Sequence, residues 1–423
     1  MPRARPIDLC ATASALLGAL LAANAWSAGS LFRYQLAGYV AGALLALPLL
    51  SIVLLRERAR AFWRRVGFVC VPLTAVLLLA ELGWRAFGPA GVPPEVQRAD
   101  PRLGHALVPG SGGSDDRGFR NAAAPARTDV LCVGDSQTWG FHVEPEDTFT
   151  VRLGAELGLA AYQMANGSYG PVQYRELVRQ GLRLQPRLVV VGFYFGNDLI
   201  DAVDYAGLAG GEDLRAEGRT YRVRSNAEPD RQSSRNWTMW LVDGVFEHSR
   251  VLGRAGAVVK SRMRWSALDD QPGAVAFADP SVPTSLLPAY RLPTVDPASE
   301  KVRDGARIAA RCLADIAAEC RAAGARCLLL AIPTKEFAYA EWRHGAGSPL
   351  PQLAALHAAE AQLRATVFAA TRDAGCELID LAPACVEALG HGVSPWAANS
   401  DGHILREGHA IAARLLAAQW RRQ

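Results

Sequence analysis

Two short runs carry residue types that could do covalent chemistry. In Leu131-Cys132-Val133-Gly134-Asp135-Ser136-Gln137-Thr138 an apolar, β-branched run stops abruptly at a glycine, and a serine follows two positions later. That is the layout of a buried strand entering a tight turn, and glycine permits the backbone angles such a turn needs. A serine held there lies at the carboxyl edge of a parallel sheet, where α/β proteins build their sites. The alternative reading is that Asp135-Ser136 only caps the next helix. Near the other end, Asn399-Ser400-Asp401-Gly402-His403 places a carboxylate two residues before a histidine. On an extended segment that spacing puts both side chains on one side. Ser136 as nucleophile, His403 as general base and Asp401 as its orienting acid make up an acyl-transfer site.

Elements that could position these residues recur from Thr128 onward. Apolar strand-like runs at 130–133, 160–165, 188–195, 327–332 and 376–381 alternate with helical stretches at 147–157, 171–184, 300–323, 351–374 and 407–420. Five β-α units with apolar strands predict a parallel sheet covered by helices on both faces. All strand ends then share one edge. Ser136 follows the first strand, Asn166-Gly167-Ser168-Tyr169-Gly170 the second, Gly196-Asn197-Asp198 the third and Pro333-Thr334-Lys335-Glu336 the fourth. Past the fifth strand comes the Asp401-Gly402-His403 run. The N–H groups of Ser136 and Gly170 and the amide of Asn197 are the expected oxyanion hole. Asp380 is the fallback for the acid. His142 and His409 read as a loop and a structural histidine. Lys335 reads as a surface or salt-bridged lysine, with contact to an anionic or sugar substrate as the other possibility.

These blocks resemble the SGNH, or GDSL, hydrolase superfamily: Gly134-Asp135-Ser136, then Gly170, then Gly196-Asn197-Asp198, then Asp401-Gly402-His403, in the family's order. The resemblance covers 128–423 apart from an interruption at about 204–298. It implies a flavodoxin-like three-layer domain and ester hydrolysis without metal or organic cofactor, or acyl transfer in some members. Two departures stand out. The acid and the histidine are two apart rather than the usual three, and the second block is shortened, so that Ser168 could hold the donor position in place of Gly170.

The remaining chain of 423 residues sets the context. Half is hydrophobic and the net charge is only +4. With no basic stripe interleaved with aromatics, nucleic acid is not an expected partner. Three apolar segments, 7–26, 36–55 and 66–84, approach the ~20 residues of a membrane-spanning helix. Arg56, Arg58, Arg60, Arg64 and Arg65 cluster in the second connection, whereas the first has only Arg33. Positive loops stay in the cytoplasm, which sends everything after Trp84 to the periplasmic side of a bacterial inner membrane. The expected organisation is an anchor of three transmembrane helices (1–87), a linker (88–127) and the hydrolase domain (128–423). Within the linker, Asp116-Arg117-Gly118-Phe119-Arg120-Asn121 is too particular in composition for spacer. The interruption ends in a loop with Pro280, Pro283 and Pro288 and reads as a lid or a membrane-resting face. The eight cysteines show no paired C-x-x-C spacing of a zinc site, and Cys320 with Cys327 could form a disulfide outside the cytoplasm.

The expected function is a membrane-anchored serine esterase acting on O-acyl groups, acetyl above all, of envelope glycans. The alternatives are an O-acyltransferase that modifies an envelope polysaccharide through the same serine intermediate, working with a membrane partner protein, and a non-catalytic envelope assembly protein. Against the last stands the complete Ser-His-Asp set.

Overall fold

The structure, a computed structural model, describes residues 97–422 apart from 218–219, 222–272, 278, 280 and 344–350. The three expected membrane spans lie outside the described residues. Among the described residues no helix is long and apolar enough to cross a membrane.

The centre is a five-stranded parallel sheet. Its strands are β3 (Val130–Gly134), β4 (Ala161–Ala165), β5 (Leu188–Tyr194), β8 (Arg326–Ile332) and β9 (Glu377–Asp380), in the order β4-β3-β5-β8-β9. The order reverses beside β3, so the turns after β3, β4 and β5 open on a switch point, the usual place for a site in such sheets. β3 and β5 are buried on both sides, which is why they read as unbroken apolar runs rather than alternating ones.

Alternation within each strand divides two cores. Leu131, Val133, Val189, Val191, Leu329 and Ala331 face one way, against α3 (Pro171–Gly181), α6 (Glu300–Ala322) and α8 (Pro351–Asp373). Val130, Cys132, Leu188, Val190, Leu328 and Leu330 face the other, against α2 (Phe149–Leu157), α7 (Lys335–Arg343), α9 (Ala382–Gly390) and α10 (Arg406–Arg421). The domain is therefore three-layered, with period-2 side-chain direction feeding each layer.

Several elements were not expected. α1 (Ser136–Trp139) starts at the serine itself, and α4 (Asp198–Tyr205) follows β5 directly. The end of the interruption, expected as a proline-bearing loop, instead holds an antiparallel pair, β6 (Val275–Phe277) and β7 (Thr284–Leu286), and then α5 (Pro288–Val295). Pro288 opens that helix, where its missing N–H costs nothing. The middle of the interruption lies outside the described residues.

The segment expected as a linker is, from residue 97, part of the domain. A hairpin of β1 (Gln97–Asp100) and β2 (Gly104–Leu107) leads into Phe119, which is buried in the core. The run around 115–121 docks on β4, the edge of the sheet. The Asn121 side chain donates to the carbonyl of Gln163 (3.0 Å) and accepts from its N–H (3.1 Å), as a neighbouring strand would. Asp115 accepts the Tyr162 hydroxyl (2.8 Å) and the Gln163 amide donates to Arg120 O (2.7 Å). Glycine and polar richness marked this segment as a connector, but its polar groups are the ones that satisfy the sheet edge.

The disulfide joins Cys327 to Cys376, at the starts of β8 and β9. Cys320, the partner that the sequence offered for Cys327, is a buried free thiol inside α6.

Candidate active site

The nucleophile candidate stands where β3 turns into α1. Gly134 sits there for reasons of space rather than of unusual backbone angles. A Cβ on it would lie 1.9 Å from Thr138 Oγ1 and 3.2 Å from Gly192 O, so any side chain would force the turn off the sheet. Asp135 caps α1, accepting the Gln137 N–H at 2.9 Å. It is completely buried, and burial pushes its carboxyl up to about 6. Ser136 falls in the first turn of α1, where N–H groups have no intrahelical acceptor.

Ser136, His403 and Asp401 converge. His403 Nε2 lies 2.9 Å from Ser136 Oγ, and His403 Nδ1 lies 2.6 Å from Asp401 Oδ1. The same Asp401 oxygen accepts the backbone N–H of His403 at 2.7 Å. The two-residue spacing thus works through a carboxylate folded onto the backbone two residues ahead, the Asx-turn habit of aspartate, rather than through an extended strand. A carboxylate at Nδ1 makes that nitrogen the donor and leaves Nε2 to accept from the serine hydroxyl. Burial works to raise the Asp401 carboxyl. Hydrogen bonds from His142 and His403 and the charge of His403 outweigh it, holding Asp401 well below the usual carboxylate range.

Asp380, the fallback acid, is bound elsewhere, accepting from Arg364 and from the N–H of Ala382 at the start of α9. The Gly170 N–H, expected in the oxyanion hole, donates instead to Gln173 Oε1 at 3.1 Å, the side chain of the third helical residue reaching back to the start of α3. Gly170 is needed for close packing, since a Cβ there would come 2.8 Å from Asp201 Cβ. Within the same turn Ser168 takes a positive φ of 60°, and its N–H has no hydrogen-bond partner among the described residues. Asn197 stands at the N-cap position of α4 and donates through Nδ2 to Asp201 Oδ2 (2.8 Å).

Three residues of the site were missed. Gln137 Nε2 donates to Gly402 O (3.2 Å) while its Oε1 accepts from Ile404 N (2.9 Å), tying the histidine loop to the nucleophile's own helix. Lys335 is not on the surface. It is fully buried, and its Nζ donates to Ala397 O (2.7 Å) and Asn399 O at the base of that loop. His142 Nε2 lies 2.8 Å from Asp401 Oδ2. Adjacency in sequence hinted at Gln137 and the place after the fourth strand at Lys335, though not at the role either plays; His142 read as a loop histidine. Among the described residues His142, Asp401 and His403 also form the one cluster whose ligating atoms lie within 4.8 Å of one another. In it each oxygen of Asp401 is already taken by a histidine.

No family model and no curated protein matches the chain. Solved structures match with low identity. An extracellular lipase from Streptomyces rimosus shares 14% of residues over 70% of this chain and 99% of that one, with a TM-score of 0.35. A GDSL-like lipase from Bacteroides thetaiotaomicron shares 11% over 69% and 87%, with a TM-score of 0.32. An acetyl-xylooligosaccharide esterase from a Geobacillus shares 12% over 70% and 94%, with a TM-score of 0.32. At these values the site must be judged on its own hydrogen bonds.

Proposed function

We propose that the chain is a serine esterase that hydrolyses O-acyl esters. The observation that carries this reading is the continuous hydrogen-bonded line from Ser136 Oγ through both nitrogens of His403 to Asp401. In the first half-reaction Ser136 Oγ attacks the ester carbonyl carbon as His403 Nε2 takes its proton. The carbonyl oxygen, now anionic, is received by the N–H groups of Ser136 and Ser168 and the side-chain amide of Asn197. Collapse of the tetrahedral intermediate breaks the C–O bond, and His403 returns the proton to the departing alkoxide. Water then repeats the sequence on the acyl-enzyme and releases the acid. Asp401 stays ionised, holding the imidazole in one tautomer and stabilising the imidazolium.

The setting proposed for this chemistry is the periplasmic face of a bacterial inner membrane, with acylated envelope glycans as substrates. Three apolar segments with arginines concentrated between the second and third support it. So does a disulfide, which persists in oxidising compartments.

Hydrolysis of p-nitrophenyl acetate, with and without a sugar acceptor, tests the reading. A fluorophosphonate should label the wild type and leave Ser136→Ala unlabelled. Turnover that appears only with the sugar acceptor would make the enzyme a transferase. Equal labelling of both proteins would remove Ser136 as nucleophile.

A further inference from the structure

The carboxylate of Asp401 has two oxygens and each is held by a different histidine. Oδ1 faces His403; Oδ2 faces His142 Nε2 at 2.8 Å. The His142 ring meets the His403 ring nearly edge-on, with centroids 5.8 Å apart. Phe141 packs on both, at 4.3 Å from His142 and 4.8 Å from His403. A carboxylate acceptor makes Nε2 of His142 the protonated nitrogen.

This contact is built rather than incidental. His142 is in the left-handed region, with φ of 70°, a conformation uncommon for residues other than glycine. The groups that hold this turn are visible. Arg120, from the Asp116–Asn121 run, donates to the carbonyls of Trp139 (3.1 Å), Gly140 (2.7 Å) and Val143 (2.8 Å), and its guanidinium lies 4.5 Å over the Trp139 ring. Three carbonyls on both sides of His142 are thus bound by one side chain. Gly140 lets this turn close against α2, because a Cβ there would sit 2.5 Å from Thr148 Cγ2.

We propose that His142 is a positioning residue of the esterase: anchored by Arg120, it fixes the second oxygen of Asp401 and thereby aims the first at His403. The proposal rests on the esterase reading. Without His142, Asp401 keeps only contacts to its own loop and can rotate about its side-chain bonds. His403 then samples orientations in which Nε2 does not meet Ser136. The effect falls on the chemical step, since His142 acts through Asp401 and not on substrate.

The test compares His142→Ala and His142→Gln in the full-length protein, using p-nitrophenyl acetate turnover and the rate of Ser136 labelling by a fluorophosphonate. Both variants leave the same backbone strain, but only glutamine supplies an N–H at the reach of Nε2. His142→Ala should lower kcat about 10-fold, the scale of one hydrogen bond to a charged group, with KM unchanged, and glutamine should restore most of that loss. In an Asp401→Asn background His142→Ala should add nothing, because the partner it acts through has changed. Wild-type kcat in His142→Ala, equal loss in both variants, or losses that multiply in the double variant would each overturn the proposal. Absence of labelling in the wild type would instead overturn the esterase reading and is seen before any variant is made.

Discussion

Asp135 shows how a single side chain can be retained at a cost. One of its oxygens caps α1, while Oδ2 is buried without a hydrogen bond in reach, and its charge acts on the neighbouring buried Asp198. Its carboxyl is raised from 3.8 to about 6 by burial. A folded-state value above the unfolded one means that stability is full below pH 4 and declines as pH rises through 6. At roughly 1.4 kcal/mol per pH unit the ionised form costs about 3 kcal/mol at neutrality. Asparagine caps helices as well as aspartate does. Asp135→Asn should therefore raise the denaturation midpoint at pH 7–8 and leave it nearly unchanged at pH 4. A gain of equal size at both ends of the range would assign the effect to something other than this charge. The meeting of Ser136, Asp401 and His403 was legible at this scale because each follows a recognisable break in pattern. The donor of the second block was not, since the identity of a residue says nothing about whether its N–H is already engaged, as that of Gly170 is.

The elements that hold the site are less visible in sequence than the site. The five strands and five long helices came through because apolar periodicity reports burial directly. α1, α4 and α9 are short and begin within a few residues of a strand end, so period alone could not separate them from turns. Lys335 is the sharper case. It opens α7, fully buried, and donates to two carbonyls of the loop that leads to Asp401; a lone lysine after a strand looks like surface. Lys335→Met should leave both carbonyls unsatisfied. The expected loss is roughly 2–6 kcal/mol of stability, at 1–3 kcal/mol for each buried orphan group, with faster proteolytic nicking between 391 and 405. A methionine variant that matches the wild type in thermal unfolding and in nicking would show that the loop holds itself.

At the scale of the whole molecule the question is which compartment the site faces. The arginines from Arg56 to Arg65 oppose translocation of the second connection, and the proposed topology puts the C-terminus across the membrane. A reporter active only in the periplasm, fused after Gln423, should be active, and one fused after Arg65 should be silent. The opposite pattern would keep the ester chemistry and remove the envelope substrates.

The docking of residues 115–121 on β4 bears on how the domain can be separated from the rest of the chain. β4 has a sheet neighbour on one side only, and Asn121 occupies the hydrogen-bonding positions of Gln163 that a second strand would take. A soluble fragment begun at Thr128, where the strand-helix pattern starts, would strip that cover and leave a bare edge open to pairing with other copies. It would also remove Arg120 and with it the clamp on the turn that carries His142. For expression, crystallisation or domain transplantation, the unit of inheritance includes the residues from Gln97 to Arg127, ahead of the first parallel strand.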